Sequence, residues 1–271
     1  MLSRNSENVI LETIMPSFNL VPSASNIKDE ADYVFYQLTN EQKKVLDFIS
    51  DQQTVAIQGS AGTGKTFIAV EQAKRLSSDK KVLFLCFNKF LYYHLDNKCK
   101  LNNVDYYNLH TFLSKNSSDD ISTDEKCLKT LKSIDFTNTL DYQAIIIDEA
   151  QDINDKILIE FYEICKRLNY NLYLFYDKNQ MLFQNKLPKC LEEFDCKLTL
   201  TKNCRNTLKI VQTINSVFNI NTQANGFSVS GVMPTFYFVD TDIQNKLRLI
   251  INDYLNDGFD QKDITILTLS L

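Results

Sequence analysis

From Leu38 onward the sequence alternates two kinds of hydrophobic pattern. Short, largely apolar runs occur at Val55–Gln58, Val82–Phe87, Ala144–Ile147 and Leu172–Phe175. Between them, apolar residues recur at helical spacing. Val45, Leu46 and Ile49 follow Asn40, Ala69, Ala73 and Leu76 follow the first run, and Ile157, Phe161, Ile164 and Leu168 follow Asp152. Spacings of three and four residues put the apolar side chains on one face of a helix. A continuous apolar run instead suits a strand covered on both faces. Strands and helices in alternation predict a three-layer α/β domain built on a parallel sheet.

The same pattern divides the chain. Residues 1–35 contain Pro16, Pro22 and several Ser and Asn with little periodicity, and read as an arm or the remnant of a neighbouring domain. Residues 36–197 form the first domain. Within it, 113–143 are polar and rich in Ser, Asp and Lys, which predicts a short surface insertion. Residues 198–271 repeat the rhythm, with runs at Leu198–Leu200, Thr235–Val239 and Ile264–Leu269 and helical patterns at Leu208–Phe218 and Ile243–Tyr254. They read as the beginning of a second domain, incomplete because the chain stops on a predicted strand.

Composition narrows the class without naming a partner. The 271 residues are 44% hydrophobic and 23% charged, ordinary for a globular protein. The longest apolar runs are too short to cross a bilayer, and the first 25 residues have no signal-peptide pattern. The expectation is therefore a cytoplasmic protein with no membrane partner. Seven cysteines fall mostly inside predicted strands and helices, as reduced, buried thiols do. Cys190, Cys196 and Cys204 lack a tight C-x-x-C pair, and His94 and His110 lie far from them, which argues against a zinc site. The formal net charge is −5 with no basic stripe, so charge alone does not point to nucleic acid.

Two segments carry chemistry. Gly59-Ser60-Ala61-Gly62-Thr63-Gly64-Lys65-Thr66 fits G-x-x-x-x-G-K-[ST], directly after an apolar run and before a helical one. Its glycines let the backbone N–H groups converge on a phosphate, and the helix N-terminus adds positive potential. Lys65 is expected to reach the terminal phosphates of ATP, and Thr66 to ligate Mg²⁺. Ala144–Ile147 ends in Asp148 and Glu149. Carboxylates at the C-terminal end of a parallel strand face the ligand crevice. Asp148 suits the Mg²⁺ shell, and Glu149 suits the orientation or deprotonation of an attacking water.

With these in place, Asp148-Glu149-Ala150-Gln151-Asp152 resembles motif II of the UvrD/Rep-like superfamily 1 DNA helicases. Five further segments resemble that family's motifs in order. Leu38-Thr39-Asn40-Glu41-Gln42 is similar to the Q motif, which implies that Gln42 reads adenine. Val82 through Phe87-Asn88-Lys89 is similar to motif Ia, and Leu109-His110-Thr111-Phe112 to motif Ib, both of which imply contacts to single-stranded DNA. Tyr176-Asp177-Lys178-Asn179-Gln180 is similar to motif III, implying that Gln180 senses the γ-phosphate. Asn203-Cys204-Arg205-Asn206, with Ile210 and Asn215, is similar to motif IV, implying that Arg205 is an arginine finger.

The resemblance spans residues 38–271 and implies a RecA-like P-loop NTPase sheet followed by the start of a second RecA-like domain. ATP and Mg²⁺ are the implied cofactors, and single-stranded DNA the implied partner, with RNA left open. The Leu-Cys-Phe-Asn spelling of motif Ia is also similar to a branch in which a nuclease-related domain can precede the helicase, so such a domain is a further implied partner; a partner protein that reads the nucleotide state is the one the switch alternative implies. Three features depart from the family: Cys204 stands where a tyrosine packs on adenine, Tyr176 replaces a glycine of motif III, and motifs V and VI are missing. The chain alone is therefore expected to hydrolyse ATP slowly, and a non-motor ATP switch is the alternative. Phe87, Phe112 and Phe183 are expected either to stack on bases or to pack in the core. Lys89 is expected either to touch phosphate or to remain a solvated loop residue.

Overall fold

The apolar runs become the strands of one sheet. The computed structural model describes residues 40–117, 121–137, 139–180, 189–218, 223–224, 230–239 and 241–268. The strands β1 (Thr54–Gly59), β2 (Val82–Cys86), β3 (Val104–Asn108), β4 (Ala144–Asp148), β5 (Asn171–Tyr176) and β6 (Cys196–Leu200) stand in the order β3-β2-β4-β5-β1-β6. Every neighbouring pair is parallel, and the register sets Ile57 opposite both Phe175 and Leu198.

Successive residues of a strand point to opposite faces, and here both faces are covered. Val55, Ile57, Phe84, Ile146, Tyr173 and Phe175 pack with Leu46 and Ile49 of α1 (Asn40–Ile49), Ile68, Ala69 and Ala73 of α2 (Lys65–Leu76), and Leu95 of α3 (Lys89–Lys98). Their neighbours Ala56, Leu83, Leu85, Ile145, Ile147 and Leu174 face the other way. These meet α4 (Leu109–Lys115), α5 (Asp124–Ser133) and α6 (Asp155–Leu168). Helices on both faces of a parallel sheet make this a three-layer α/β fold of the RecA-like P-loop class. The helix ends follow local chemistry. Asn154 caps α6 by accepting from the Lys156 N–H at 3.0 Å, Asp155 sits in the first turn, Lys166 and Arg167 sit in the last, and Asn169 closes it in the left-handed region.

Three sequence expectations change. A domain boundary between 197 and 198 would cut β6, which instead lines up along β1 as the sheet's edge. The Thr54 N–H and hydroxyl both donate to Asp195 Oδ2, at 2.9 and 2.7 Å, and pin that edge at its start. The 113–143 stretch is more than a surface insertion: Cys127, Thr130 and Leu131 of α5, with Phe136 and Tyr142 beyond it, are buried, and all but Thr130 pack into the cluster that holds Phe161. The runs at 235–239 and 264–268 are not strands. Phe238 is 99% exposed and Leu267 91% exposed, and among the described residues no strand pairs with either segment.

Residues 34–234 make one compact unit, and the described residues 235–268 fall in another. The first also holds α7 (Leu208–Phe218) and a two-residue ladder of β7 (Lys202–Asn203) with β8 (Gln223–Ala224). The second holds α8 (Ile243–Asn256), capped by Asp242, which accepts from the Asn245 N–H. Among the described residues no helix is long and apolar enough to cross a membrane. None of the seven cysteines forms a disulfide.

Candidate functional site

The polar positions gather where the parallel strands end and the chain turns, the place where open α/β sheets bind ligands. Gly59 ends β1 and Lys65 opens α2. Between them Gly62 and Gly64 hold φ values of +83° and +88°, which glycine alone adopts cheaply. The Thr63 N–H and hydroxyl both donate to the Ser60 carbonyl, at 3.3 and 2.8 Å, and tighten the loop. The first turn of α2 carries no acid, and Lys74 and Arg75 occupy its last turn, so charge does not oppose an anion at the N-terminus. Lys65 is buried, and its Nζ donates to the Gly59 and Ser60 carbonyls at 2.8 and 3.3 Å.

Across β5 from this loop, β4 delivers Asp148. Thr66 Oγ1 donates to Asp148 Oδ2 at 2.6 Å. Asp148 is fully buried. Burial first, and the Glu149 carboxylate second, push its carboxyl up from 3.8 to about 6, against the pull of the Thr66 hydroxyl, the Glu149 N–H and Lys65. A carboxylate so placed gains from a nearby cation. Mg²⁺ is held through one or two protein oxygens together with phosphate oxygens. The touching oxygens of Thr66 and Asp148, beside a loop shaped for phosphate, fit that donor set.

Glu149 sits in the left-handed region at φ +55°, uncommon for a residue with a side chain. Its Oε2 accepts from Gln151 Nε2 at 2.6 Å, and Gln151 Oε1 accepts from the Asp177 N–H at 3.0 Å. Asp177 Oδ2 accepts from Gln180 Nε2 at 2.7 Å. Glu149 and Gln180, singled out separately from the sequence, thus belong to one hydrogen-bonded chain whose links are Gln151 and Asp177.

Gln42, near the start of α1, is buried against the loop. Its Nε2 lies 3.5 Å from the Thr63 carbonyl and 3.8 Å from Cys204 Sγ. A Cβ on Gly64 would collide with the Gln42 amide. A cleft opens beside it, lined by Gln42, Val45, Thr63, Leu200, Lys202 and Cys204. Arg205, expected beyond the first domain, lies in the same compact unit as the P-loop, exposed on the turn after β7. The turn is anchored by Asn203, whose Nδ2 donates to the Ala61 carbonyl at 2.9 Å, and by the Cys204 N–H, which donates to the Gly62 carbonyl at 2.8 Å.

The residues expected to meet nucleic acid separate into two groups. Phe87 and Asn88, after β2, are exposed, and the Phe87 ring meets His110 edge-on at 5.9 Å. Asn108 ties the pair together, donating to the Phe87 carbonyl and accepting from the His110 N–H at 3.1 Å. Phe112 is 1% exposed, packed between Tyr107 and Phe136. The expected base contact at Phe112 is therefore replaced by core packing, because α4 turns that side chain under the sheet. Lys89 opens α3, but its side chain lies outside the described residues, as does Phe183. Among the described residues no group of three His, Cys, Asp or Glu side chains is placed to hold a metal.

Sequence reading assigned no role to Asn108, Gln151, Asp177 or Asn203. Each bonds a different element across the site, and the hint in the sequence is placement alone: Gln151, Asp177 and Asn203 lie inside motifs II, III and IV, and Asn108 directly precedes motif Ib.

The fold and the loop define a P-loop α/β domain. Residues 42–185, more than half of the chain, match the AAA domain family, and the chain belongs to it. No curated protein matches the sequence. Among solved structures, the chain is similar to the Pif1 helicase from Candida albicans, at 22% identity and a TM-score of 0.46, over 60% of this chain and 39% of that one. It is also similar to the Bacteroides Pif1 helicase in complex with ADP-AlF3 and single-stranded DNA, at 15% identity and a TM-score of 0.44, over 83% of this chain and 58% of that one. The chain thus spans 39% to 58% of the length of these two helicases.

Proposed function

We propose that this chain is the ATP-binding core of a superfamily 1 helicase or translocase of the UvrD/Rep kind, acting on single-stranded DNA. The observation that carries the reading is the contact of Thr66 with Asp148 at 2.6 Å, across β5, beside a loop that already holds Lys65 inward. In this reading Gly59–Thr66 wrap the phosphates with backbone N–H groups, and Lys65 exchanges its bonds to the Gly59 and Ser60 carbonyls for phosphate oxygens. Thr66 and Asp148 hold Mg²⁺, which neutralises charge on the phosphates when bound. Glu149, aimed by Gln151, orients the attacking water and takes its proton. Gln180 reports the state of the γ-phosphate through Asp177 and Gln151. Gln42 contacts the base over the cleft that Cys204 floors, and Arg205 supplies positive charge to the transferring group. Phe87, Asn88 and His110 present an aromatic and polar surface on which unpaired bases stack.

The test is equilibrium binding of Mg–ATP to the chain and to Lys65→Ala. Removing the ammonium should weaken binding roughly 10- to 100-fold, the range of a lost charge-assisted contact. Equal affinity in the two would remove the nucleotide assignment. The motor assignment is tested separately by measuring affinity for an oligothymidylate with no nucleotide and with a non-hydrolysable ATP analogue. A translocase must hold the strand differently in these two states. Identical affinities would leave an ATP switch that does not act on DNA.

A further inference from the structure

The amide of Asn203 joins two parts of the site that are 142 residues apart in sequence. On one side Nδ2 donates to the Ala61 carbonyl at 2.9 Å, inside the P-loop. On the other, Oδ1 accepts from the Arg205 N–H at 3.1 Å and the Asn206 N–H at 2.9 Å. The Asn203 side chain is 2% exposed, while its partners Ala61 and Arg205 lie at the surface, so a buried amide ties two exposed segments together. Gly62 makes room for it, since a Cβ there would come within 2.7 Å of both the Asn203 nitrogen and oxygen. The next residue repeats the attachment through the backbone, as the Cys204 N–H donates to the Gly62 carbonyl at 2.8 Å.

We propose that Asn203 is a positioning residue that makes the place of Arg205 depend on the shape of the P-loop. Any change in the Ala61–Gly62 backbone as phosphate enters is passed through one planar amide to the N–H groups of Arg205 and Asn206. The side chain bonds to the Ala61 carbonyl on the loop side and to the Arg205 and Asn206 N–H groups on the turn side. It acts by fixing where the exposed guanidinium stem begins, and an error of an ångström there is costly to a transition-state contact. The chemistry requires asparagine: aspartate can still accept from the two N–H groups but cannot donate to Ala61, and it sets a negative charge against that carbonyl. The inference rests on the nucleotide-binding reading above.

The experiment is amide hydrogen exchange of residues 203–207, with and without saturating Mg–ADP, in the parent, Asn203→Asp and Asn203→Ala. Binding affinity and melting temperature are measured on each. In the parent, Mg–ADP should slow exchange at Arg205 and Asn206 by about tenfold or more, the effect of about 1.4 kcal/mol of added protection. In Asn203→Asp the variant should still bind Mg–ADP, and that response should fall to less than twofold. In Asn203→Ala the two N–H groups should exchange fast in both states. Should the asparagine variants not fold, the response of Arg205 and Asn206 to Mg–ADP in the parent still decides whether the turn follows the loop. A parent that binds Mg–ADP yet shows no response at Arg205 and Asn206 overturns the proposal. So does an Asn203→Asp variant that keeps the full response. A parent that does not bind Mg–ADP at all overturns the nucleotide reading, and this inference with it.

Discussion

Asp148 shows in one residue how the site trades stability for binding. Its carboxylate is buried beside a second carboxylate, and its folded value of about 6 lies above the ordinary 3.8. For this group the neutral form favours the fold. Its contribution to stability is full below about 3.8 and is lost as pH rises through about 6. Asp148→Asn should therefore stabilise the metal-free chain at neutral pH by on the order of 2 kcal/mol, since an amide can still serve the Thr66 hydroxyl and the Glu149 N–H. The same change should weaken Mg–ATP binding, because a neutral amide is a poor partner for a divalent cation. Thermal melts from pH 4 to 8 with and without Mg–ADP check both halves, and a variant less stable than the parent at pH 8 would contradict the first. Glu149 makes a complementary prediction. Glu149→Gln preserves shape and can still meet Gln151 but cannot take a proton, so nucleotide affinity should persist while any hydrolysis falls 100-fold or more. Unchanged turnover would assign the water to another group.

The elements differ in how openly the sequence displays them. β2 and β4 are legible as continuous apolar runs because helices cover both their faces, and α6 is legible because Ile157, Phe161 and Ile164 keep a clean stripe. β6 misleads because an edge strand alternates: Cys196 is buried while Lys197 and Thr199 meet solvent, so it looks like the opening of something new. β3 hides for a related reason, with Val104, Tyr106 and Asn108 buried and Asp105 and Tyr107 between them only partly so. α5 hides because its charged residues outnumber the three it buries. The P-loop is legible because its chemistry is local, whereas Asn203 and Gln151 work through partners that only the fold brings near. This difference can be measured. Leu131→Ala in α5 should cost about 2–5 kcal/mol, the range for a buried leucine, and a cost under about 0.5 kcal/mol would mean that the segment is a surface insertion after all. Phe112→Ala should likewise destabilise the fold. Phe87→Ala should leave stability nearly unchanged and weaken binding to an oligothymidylate by about 1–3 kcal/mol if a base stacks there.

At the scale of the whole molecule, every residue placed at the site, from Gln42 to Arg205, lies within the compact unit 34–234. That unit holds the six-stranded sheet and both hydrophobic clusters. A unit with its own core, its helices paired to its own strands and its ligand groups on its own loops meets the physical requirements for folding alone. The described residues 235–268 contribute no strand to the sheet, and several of their large apolar side chains, among them Phe236, Phe238, Ile243 and Leu249, are exposed. Residues 34–234 produced as a separate chain should therefore melt in a single cooperative transition and bind Mg–ADP within about threefold of the parent, a difference under 1 kcal/mol. Saturation at a hundred times the dissociation constant should raise the stability of both chains by about 2.7 kcal/mol, and Lys65→Ala should reduce that gain in both alike. Calorimetry of the two chains with and without Mg–ADP decides the matter. If the shorter chain folds but binds more than tenfold weaker, residues outside 34–234 complete the nucleotide site. If it does not fold, the sheet and its two layers of helices are not self-sufficient.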